Sequence, residues 1–148
     1  MDKQQIDAFL AEPAIAIIGV SRSGRKFGNA ALRTLQAKGL RVYPIHPLAE
    51  AVEGTRCYRR FGDLPEPVHA ALIVVPPSQG AQVVRDAAAA GITKVWLQQG
   101  AESADVLHAC RDAGVSAVQG ECILMFAQPT GLHRFHRLVS GLFGNQRE

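Results

Sequence analysis

Five short apolar segments, each followed by a turn rich in glycine, proline or polar residues, constrain this chain more than any other feature. They span residues 14–19, 41–45, 70–75, 94–97 and 115–118. The run Ala70-Ala71-Leu72-Ile73-Val74-Val75 is apolar throughout rather than alternating, as in strands covered on both faces. Between these segments apolar residues recur at helical spacing. Phe27, Ala31, Leu32 and Leu35 precede Gly39; Val83, Val84 and Ala87 precede Gly91; Val106, Leu107, Cys110 and Ala113 precede Gly114. Each glycine stands where a helix turns into its C-terminal cap.

Short strands alternating with amphipathic helices predict right-handed crossovers and an α/β domain with helices on both faces of the sheet. The expected fold is one Rossmann-like, three-layer domain over residues 1–148. Its sheet is mostly parallel and five-stranded, with the order 3-2-1-4-5. Ile6, Phe9 and Leu10 predict a leading helix over 2–11, stopped by Pro13. Pro44 has no N–H to give, so the second strand is expected to be irregular or near a sheet edge. Residues 48–67 show no periodicity beyond a brief extended piece at Cys57-Tyr58, and Ser78 is the expected N-cap of the helix that follows. A last helix, about 132–143, carries an apolar stripe opposite a basic face. It is expected to pack on the sheet, or else to meet a protein partner, a second copy or a membrane surface.

With 148 residues, the chain is long enough for one buried core. Its net charge of +3 suits a small polyanionic ligand, and it lacks the dense basic runs of a nucleic-acid binder. No apolar run reaches the roughly 20 residues of a membrane-spanning helix. Met1-Asp2-Lys3-Gln4-Gln5 carries no signal-peptide pattern. Cys57, Cys110 and Cys122 are odd in number and widely spaced, and read as reduced thiols of a cytoplasmic protein.

The unusual residues fall just after strands. These are Gly19–Gly28, His46-Pro47, Val75-Pro76-Pro77, Gln98-Gln99-Gly100 and Gly120-Glu121-Cys122. In a parallel sheet such loops share one edge, where ligands of open α/β sheets bind. The first loop, Gly19-Val20-Ser21-Arg22-Ser23-Gly24-Arg25-Lys26, joins a strand to a helix and carries three cations. A helix start offers unpaired N–H groups and a positive dipole end to an anion. The loop is therefore read as a phosphate cradle.

Two familiar phosphate motifs fit it poorly. The dinucleotide fingerprint G-x-G-x-x-G fails because Ser21 stands at the second glycine, and no acid ends the second strand to meet a ribose. A P-loop would need Lys-Ser or Lys-Thr where Arg25-Lys26 stand, and an acid for magnesium where the third strand ends in prolines.

The succession Ile17-Ile18-Gly19-Val20-Ser21, Tyr43-Pro44-Ile45-His46-Pro47, Val74-Val75-Pro76-Pro77, Lys94-Val95-Trp96-Leu97-Gln98-Gln99-Gly100 and Gly120-Glu121-Cys122 resembles the CoA-binding domain family. That family is similar to the N-terminal domain of the succinyl-CoA synthetase α subunit. The resemblance covers about residues 12–125. It implies coenzyme A or an acyl-CoA as ligand, with the phosphates at Gly19, Val20, Ser21, Arg22, Ser23, Arg25 and Lys26. It places His46 and Pro47 near the nucleotide, and Val75, Pro76 and Pro77 along the pantetheine arm. Gln99 and Gly100 complete the implied site. His46 stands where relatives often have Asn.

Such a ligand carries about four negative charges near neutral pH, a load that suits a helix start with two or three cations. No catalytic constellation is visible, and the phosphohistidine domain of the synthetase is absent from this chain. Cys122 is the one candidate nucleophile at the edge, although lone cysteines commonly serve as small packing residues. The expected function is a binding or regulatory module. The alternatives are an NAD(P)- or other nucleotide-dependent enzyme or enzyme subunit, and an interaction subunit that has lost its ligand.

Overall fold

The computed structural model describes residues 3–127; the helix expected over 132–143 lies outside them. In chain order the elements are α1 (Lys3–Leu10), β1 (Ala14–Ile18), α2 (Phe27–Ala37), β2 (Arg41–Ile45), β3 (Ala51–Val52), β4 (Thr55–Arg56) and a 3-10 turn at Phe61–Asp63. They continue with β5 (Ala70–Ile73), α3 (Pro77–Ala89), β6 (Lys94–Leu97), α4 (Ala104–Ala113), β7 (Ser116–Val118) and α5 (Leu124–Ala127). All five expected strands and the leading helix form. The segment without periodicity folds as a small antiparallel hairpin, β3–β4, plus the 3-10 turn. Strands of two residues are too short to show a period of two.

The main sheet is parallel throughout, in the order β2-β1-β5-β6-β7. Counting only its own strands, this is 2-1-3-4-5 and corrects the expected 3-2-1-4-5. The third of these strands, β5, does not lie beyond β2. It pairs with the other side of β1, with Ile17 opposite Leu72 and Ile18 opposite Ile73. β2 ends the sheet, as Pro44 suggested, and its outer side meets Tyr58 through paired bonds. Tyr58 N–H donates to the Pro44 carbonyl (2.9 Å) and His46 N–H to the Tyr58 carbonyl (2.8 Å). The chain from β2 to β5 thus edges β2 without a helix and crosses to the vacant flank of β1. That choice rests on non-local pairing and leaves no local trace in sequence.

Strand residues alternate between two apolar layers. Ile15, Ile17, Leu72 and Trp96 face Phe9 of α1, Leu32 and Leu35 of α2, and Ile123. Ala16, Ala71, Ile73, Val95 and Leu97 face Val84 and Ala87 of α3 and Val106 and Ala109 of α4. Each fully buried Ile or Leu among them contributes about 1.5–3 kcal/mol. Trp96, the single tryptophan, is fully buried. It meets Phe9 edge-on at 5.4 Å and Phe126 at 5.7 Å, and its indole N–H donates to the Glu121 carbonyl (3.1 Å).

The helix ends follow their local chemistry. Gly39 and Gly91 stand just past α2 and α3 with positive φ, and Gly114 caps α4. Ser103, not foreseen, caps α4 by accepting from Val106 N–H (3.2 Å). Ser78 is not a cap: α3 starts two residues earlier than expected, with Pro76 at the cap and Pro77 in the first turn. Proline at that point loses no helical bond and brings a suitable φ. Among the described residues, no helix is long and apolar enough to cross a membrane.

Candidate functional site

The sheet order creates a switch point between β1 and β5. From β1 the chain proceeds to β2 on one side and later returns to β5 on the other, which opens a crevice beyond the carboxyl ends of these two strands. Gly19 begins one lip and Val74 the other, joined at their base by Val74 N–H donating to the Ile18 carbonyl (2.9 Å).

Two glycines let the first lip form. Gly19 has φ +119°, and a Cβ there would lie 2.3 Å from the Val74 carbonyl oxygen. Gly28, in the first turn of α2, brings that helix against the same backbone; a Cβ there would lie 2.4 Å from the Gly19 carbonyl oxygen. The start of α2 is thereby held against the end of β1. Lys26 occupies its cap position with extended backbone and contributes no side-chain cap. In the first turn Asn29 N–H folds back onto the Lys26 carbonyl (3.0 Å), and the N–H groups of Phe27 and Gly28 are left for water or an anion.

Between them the loop is braced by its own serines. Ser21 Oγ accepts from Ser23 N–H (3.0 Å) and lies 2.7 Å from Ser23 Oγ, which accepts from Arg25 N–H (3.3 Å). Ser21 O accepts from Gly24 N–H (3.2 Å), which closes a turn. Beneath it Asn29, fully buried, accepts from Ser21 N–H with Oδ1 (2.9 Å) and donates from Nδ2 to Ser21 O (2.8 Å). The same Nδ2 donates to Glu53 Oε2 (2.9 Å), which also receives Arg33 Nη1 (2.8 Å). These donors, Asn29 first, hold the Glu53 carboxyl below its ordinary range against the opposing effect of burial. Glu53 sits at the tip of the β3–β4 hairpin with φ +55°, so the hairpin serves as a strut under the turn.

The loop after β2 comes close to this turn. His46 Nδ1 accepts from Leu48 N–H (3.0 Å) and Ala49 N–H (2.9 Å), so the neutral ring carries its proton on Nε2. Burial and then the charges of Arg22 and Lys26 lower the pKa of His46. The first and second loops therefore share one electrostatic neighbourhood, with three exposed cations at Arg22, Arg25 and Lys26. Pro47 is exposed, and its carbonyl accepts from Arg59 Nη1 (3.2 Å).

Across the crevice Val75 is half-buried against the α3–α4 layer, whereas Pro76 and Pro77 are exposed. Val20 is buried in the core, so its main chain alone can face a ligand. Further along the edge the loops after β6 and β7 are tied together. Gln99 Nε2 donates to the Gly120 carbonyl (3.4 Å), and buried Gln98 accepts from Ile123 N–H with Oε1 (3.1 Å). Glu102 takes Gly100 N–H on one oxygen (2.7 Å) and Gly120 N–H on the other (3.2 Å).

Every residue singled out from sequence thus lies at or next to the carboxyl edge of the sheet. Gln98 was noted only as part of the loop after the fourth strand, and the organisers Asn29, Glu53 and Glu102 were not singled out. Only the amide and acid at their positions were visible in sequence, and polar residues near a helix start ordinarily read as solvated. Cys122 is a half-buried free thiol, with no hydrogen bond or ion pair joining it to a base among the described residues. Cys57 and Cys110 are buried thiols whose pKa values burial pushes up.

A family model described as a CoA binding domain matches residues 13–128, and the chain belongs to that family. Among curated proteins it is similar to the α subunit of an ADP-forming acetate–CoA ligase II from Pyrococcus furiosus, 31% identical over 93 residues. That match takes in 62% of this chain and 20% of the subunit. The chain spans a fifth or less of the length of the curated relatives it matches. Among solved structures, a conserved hypothetical protein of Pyrococcus furiosus is 40% identical with a TM-score of 0.70, covering 75% of this chain and 96% of that one. A dinucleotide-forming acetyl-coenzyme A synthetase 1 of Candidatus Korarchaeum cryptofilum is 27% identical with a TM-score of 0.65, over 78% of this chain and 27% of that one.

Proposed function

We propose that this domain binds coenzyme A or an acyl-CoA along the carboxyl edge of its sheet, with the phosphates on the Gly19–Gly28 turn. The observation that carries this reading is the uncapped start of α2 locked against the end of β1 at the switch point, with Arg22, Arg25 and Lys26 around it. Backbone donors, a helix dipole and cations converge there on the place where a pyrophosphate would sit. His46 offers its Nε2–H on the β2 side, where the nucleotide would lie. Val75, Pro76 and Pro77 give the weakly polar pantetheine arm a wall, and Gln99 and Gly100 lie further along its path.

The domain acts in this reading as a holding or regulatory module in the cytoplasm. A second reading is favoured by the length of its relatives: the domain holds the CoA for a partner chain that carries the reaction. The ligase subunit it resembles is about five times longer than the matched region.

Thermal-shift measurements with CoA, acetyl-CoA, NAD(H), NADP(H) and ATP test the proposal. A ligand at 100-fold excess over its Kd stabilises the fold by about 2.7 kcal/mol, or about 5–10 °C for a domain of this size. A shift with CoA species alone is expected; a shift with NADP(H) and none with CoA overturns it. Native mass spectrometry of freshly purified protein reads any retained ligand.

A further inference from the structure

The edge of the sheet is electrically polarised. Its β1–β2 end carries Arg22, Arg25 and Lys26, whereas its β6–β7 end carries Glu102 and Glu121. At that second end the loops bring two backbone N–H groups, those of Gly100 and Gly120, onto one carboxylate, and two converging donors of this kind suit an anion. Both are taken by one side chain: Glu102 Oε1 receives Gly100 N–H at 2.7 Å and Oε2 receives Gly120 N–H at 3.2 Å. Glu102 also precedes Ser103, the cap of α4, so its charge lies against the positive end of that helix. The donors that a carboxylate ligand would use are already filled by a carboxylate of the protein.

Resting on the CoA reading above, the reach of the ligand brings its acyl end to this place. From β1 to β7 the edge spans three strand spacings, about 14 Å at roughly 4.8 Å each. The arm from the pyrophosphate to the thiol runs through 13 bonds, about 15 Å when extended at roughly 3.5 Å per three bonds. A CoA with its phosphates on the Gly19 turn and its arm laid past Pro76 and Pro77 ends beside the Glu102 clamp.

We infer that Glu102 is a specificity residue that makes this site reject acyl groups ending in a second carboxylate and accept free CoA or neutral acyl chains. A terminal carboxylate there would meet a fixed like charge and find the Gly100 and Gly120 N–H groups already taken. A neutral chain of the same length would meet neither penalty.

Butyryl-CoA and freshly prepared succinyl-CoA test this, because their acyl groups differ chiefly in the terminal carboxylate. Calorimetric titration of the wild-type protein is expected to give succinyl-CoA a Kd at least tenfold weaker than butyryl-CoA, a gap that narrows at high salt. Glu102→Gln keeps one acceptor for a glycine N–H and removes the charge. It is expected to close most of that gap, read as the ratio of the two Kd values within the variant, so that any general change in CoA affinity cancels. Equal binding of the two thioesters by the wild type overturns the inference, and so does a gap that Glu102→Gln leaves intact. If the variant fails to fold, the wild-type comparison and its salt dependence still decide. No binding of free CoA by the wild type would instead defeat the CoA reading itself.

Discussion

Asn29 grips both backbone groups of Ser21, accepting its N–H at 2.9 Å and donating to its carbonyl at 2.8 Å, from a side chain with no solvent exposure. A side-chain amide is the group that can satisfy a donor and an acceptor of one residue at once. Asn29→Ala leaves both unpaired, with an expected loss of about 1–3 kcal/mol in a urea titration. Because the turn it anchors is the proposed phosphate site, CoA affinity should fall with it. Asn29→Asp keeps the acceptor but puts a second carboxyl beside Glu53, whose Oε2 is 2.9 Å from Asn29 Nδ2. Like charges raise the folded pKa of one member of the pair. That variant should therefore recover stability as pH falls toward 4 and lose it as pH rises through the raised pKa.

Gly28 gives a test in which two physical effects oppose each other. By helix propensity alone, alanine in α2 should stabilise by about 1 kcal/mol. Its Cβ would lie 2.4 Å from the Gly19 carbonyl oxygen and 2.8 Å from the carbonyl carbon, both backbone atoms that cannot rotate away. Overpacking of this kind costs about 1–3 kcal/mol or more. Gly28→Ala is expected to be destabilised in thermal melts and to bind CoA more weakly, because α2 must shift off the turn. A stabilised variant would show that the close contact of helix and strand is not maintained in solution.

The strand positions and the shared edge were legible because each rests on local chemistry: apolar runs such as Ala70–Ile73, and turns such as Gly19 and Pro76-Pro77. The sheet order was not, because nothing in β5 itself says which flank of β1 it will find free. Nor was the support beneath the turn. Glu53 comes from a two-residue-stranded hairpin 24 positions after Asn29, and only the folded chain joins them. Glu102 was passed over for a similar reason, since its two N–H partners lie on different loops.

His46 predicts a pH dependence with a definite sign. Burial and the nearby Arg22 and Lys26 lower its folded pKa below the ordinary value near 6.5. The unfolded chain then binds the proton more readily, so stability rises with pH across that window. The His46 contribution is complete above about pH 6.5 and is lost as pH falls through the depressed folded value. Protonation at Nδ1 would also break the bonds from Leu48 and Ala49 N–H. Urea melts of wild type and His46→Asn between pH 7.5 and 5 should diverge, with the wild type losing stability the faster. Parallel curves would remove His46 as the titrating group.

Arg41 and Glu66 give a second, separate pH window far from the candidate site. Arg41 grips the Glu66 carboxylate with two bonds, 2.6 and 2.8 Å, and the Tyr43 hydroxyl donates to it as well. These bonds, Arg41 first, bring the Glu66 pKa down to about 2. Its stabilising effect is full above the ordinary carboxylate range and is lost as pH falls from about 4.3 toward 2. Glu66→Gln should flatten the acid limb of the stability curve below pH 4.5 without changing CoA binding at pH 7. A change in that binding would tie the β2 edge to the site.

The three cations of the turn should divide their work. Arg22 and Lys26 lower the pKa of His46 and so lie toward β2, the side where the nucleotide and its 3′-phosphate would rest. Lys26→Ala is expected to weaken CoA about tenfold, the loss of one charge-assisted bond, while changing dephospho-CoA within about twofold. Arg25→Ala should weaken both ligands equally, because the pyrophosphate is common to them. Each Kd should rise with salt, and the Lys26→Ala variant should show the shallower dependence for CoA. If the two variants behave alike on both ligands, Lys26 belongs to the pyrophosphate. If neither changes any Kd, the cations are solvated surface and the backbone of the turn holds the phosphates by itself.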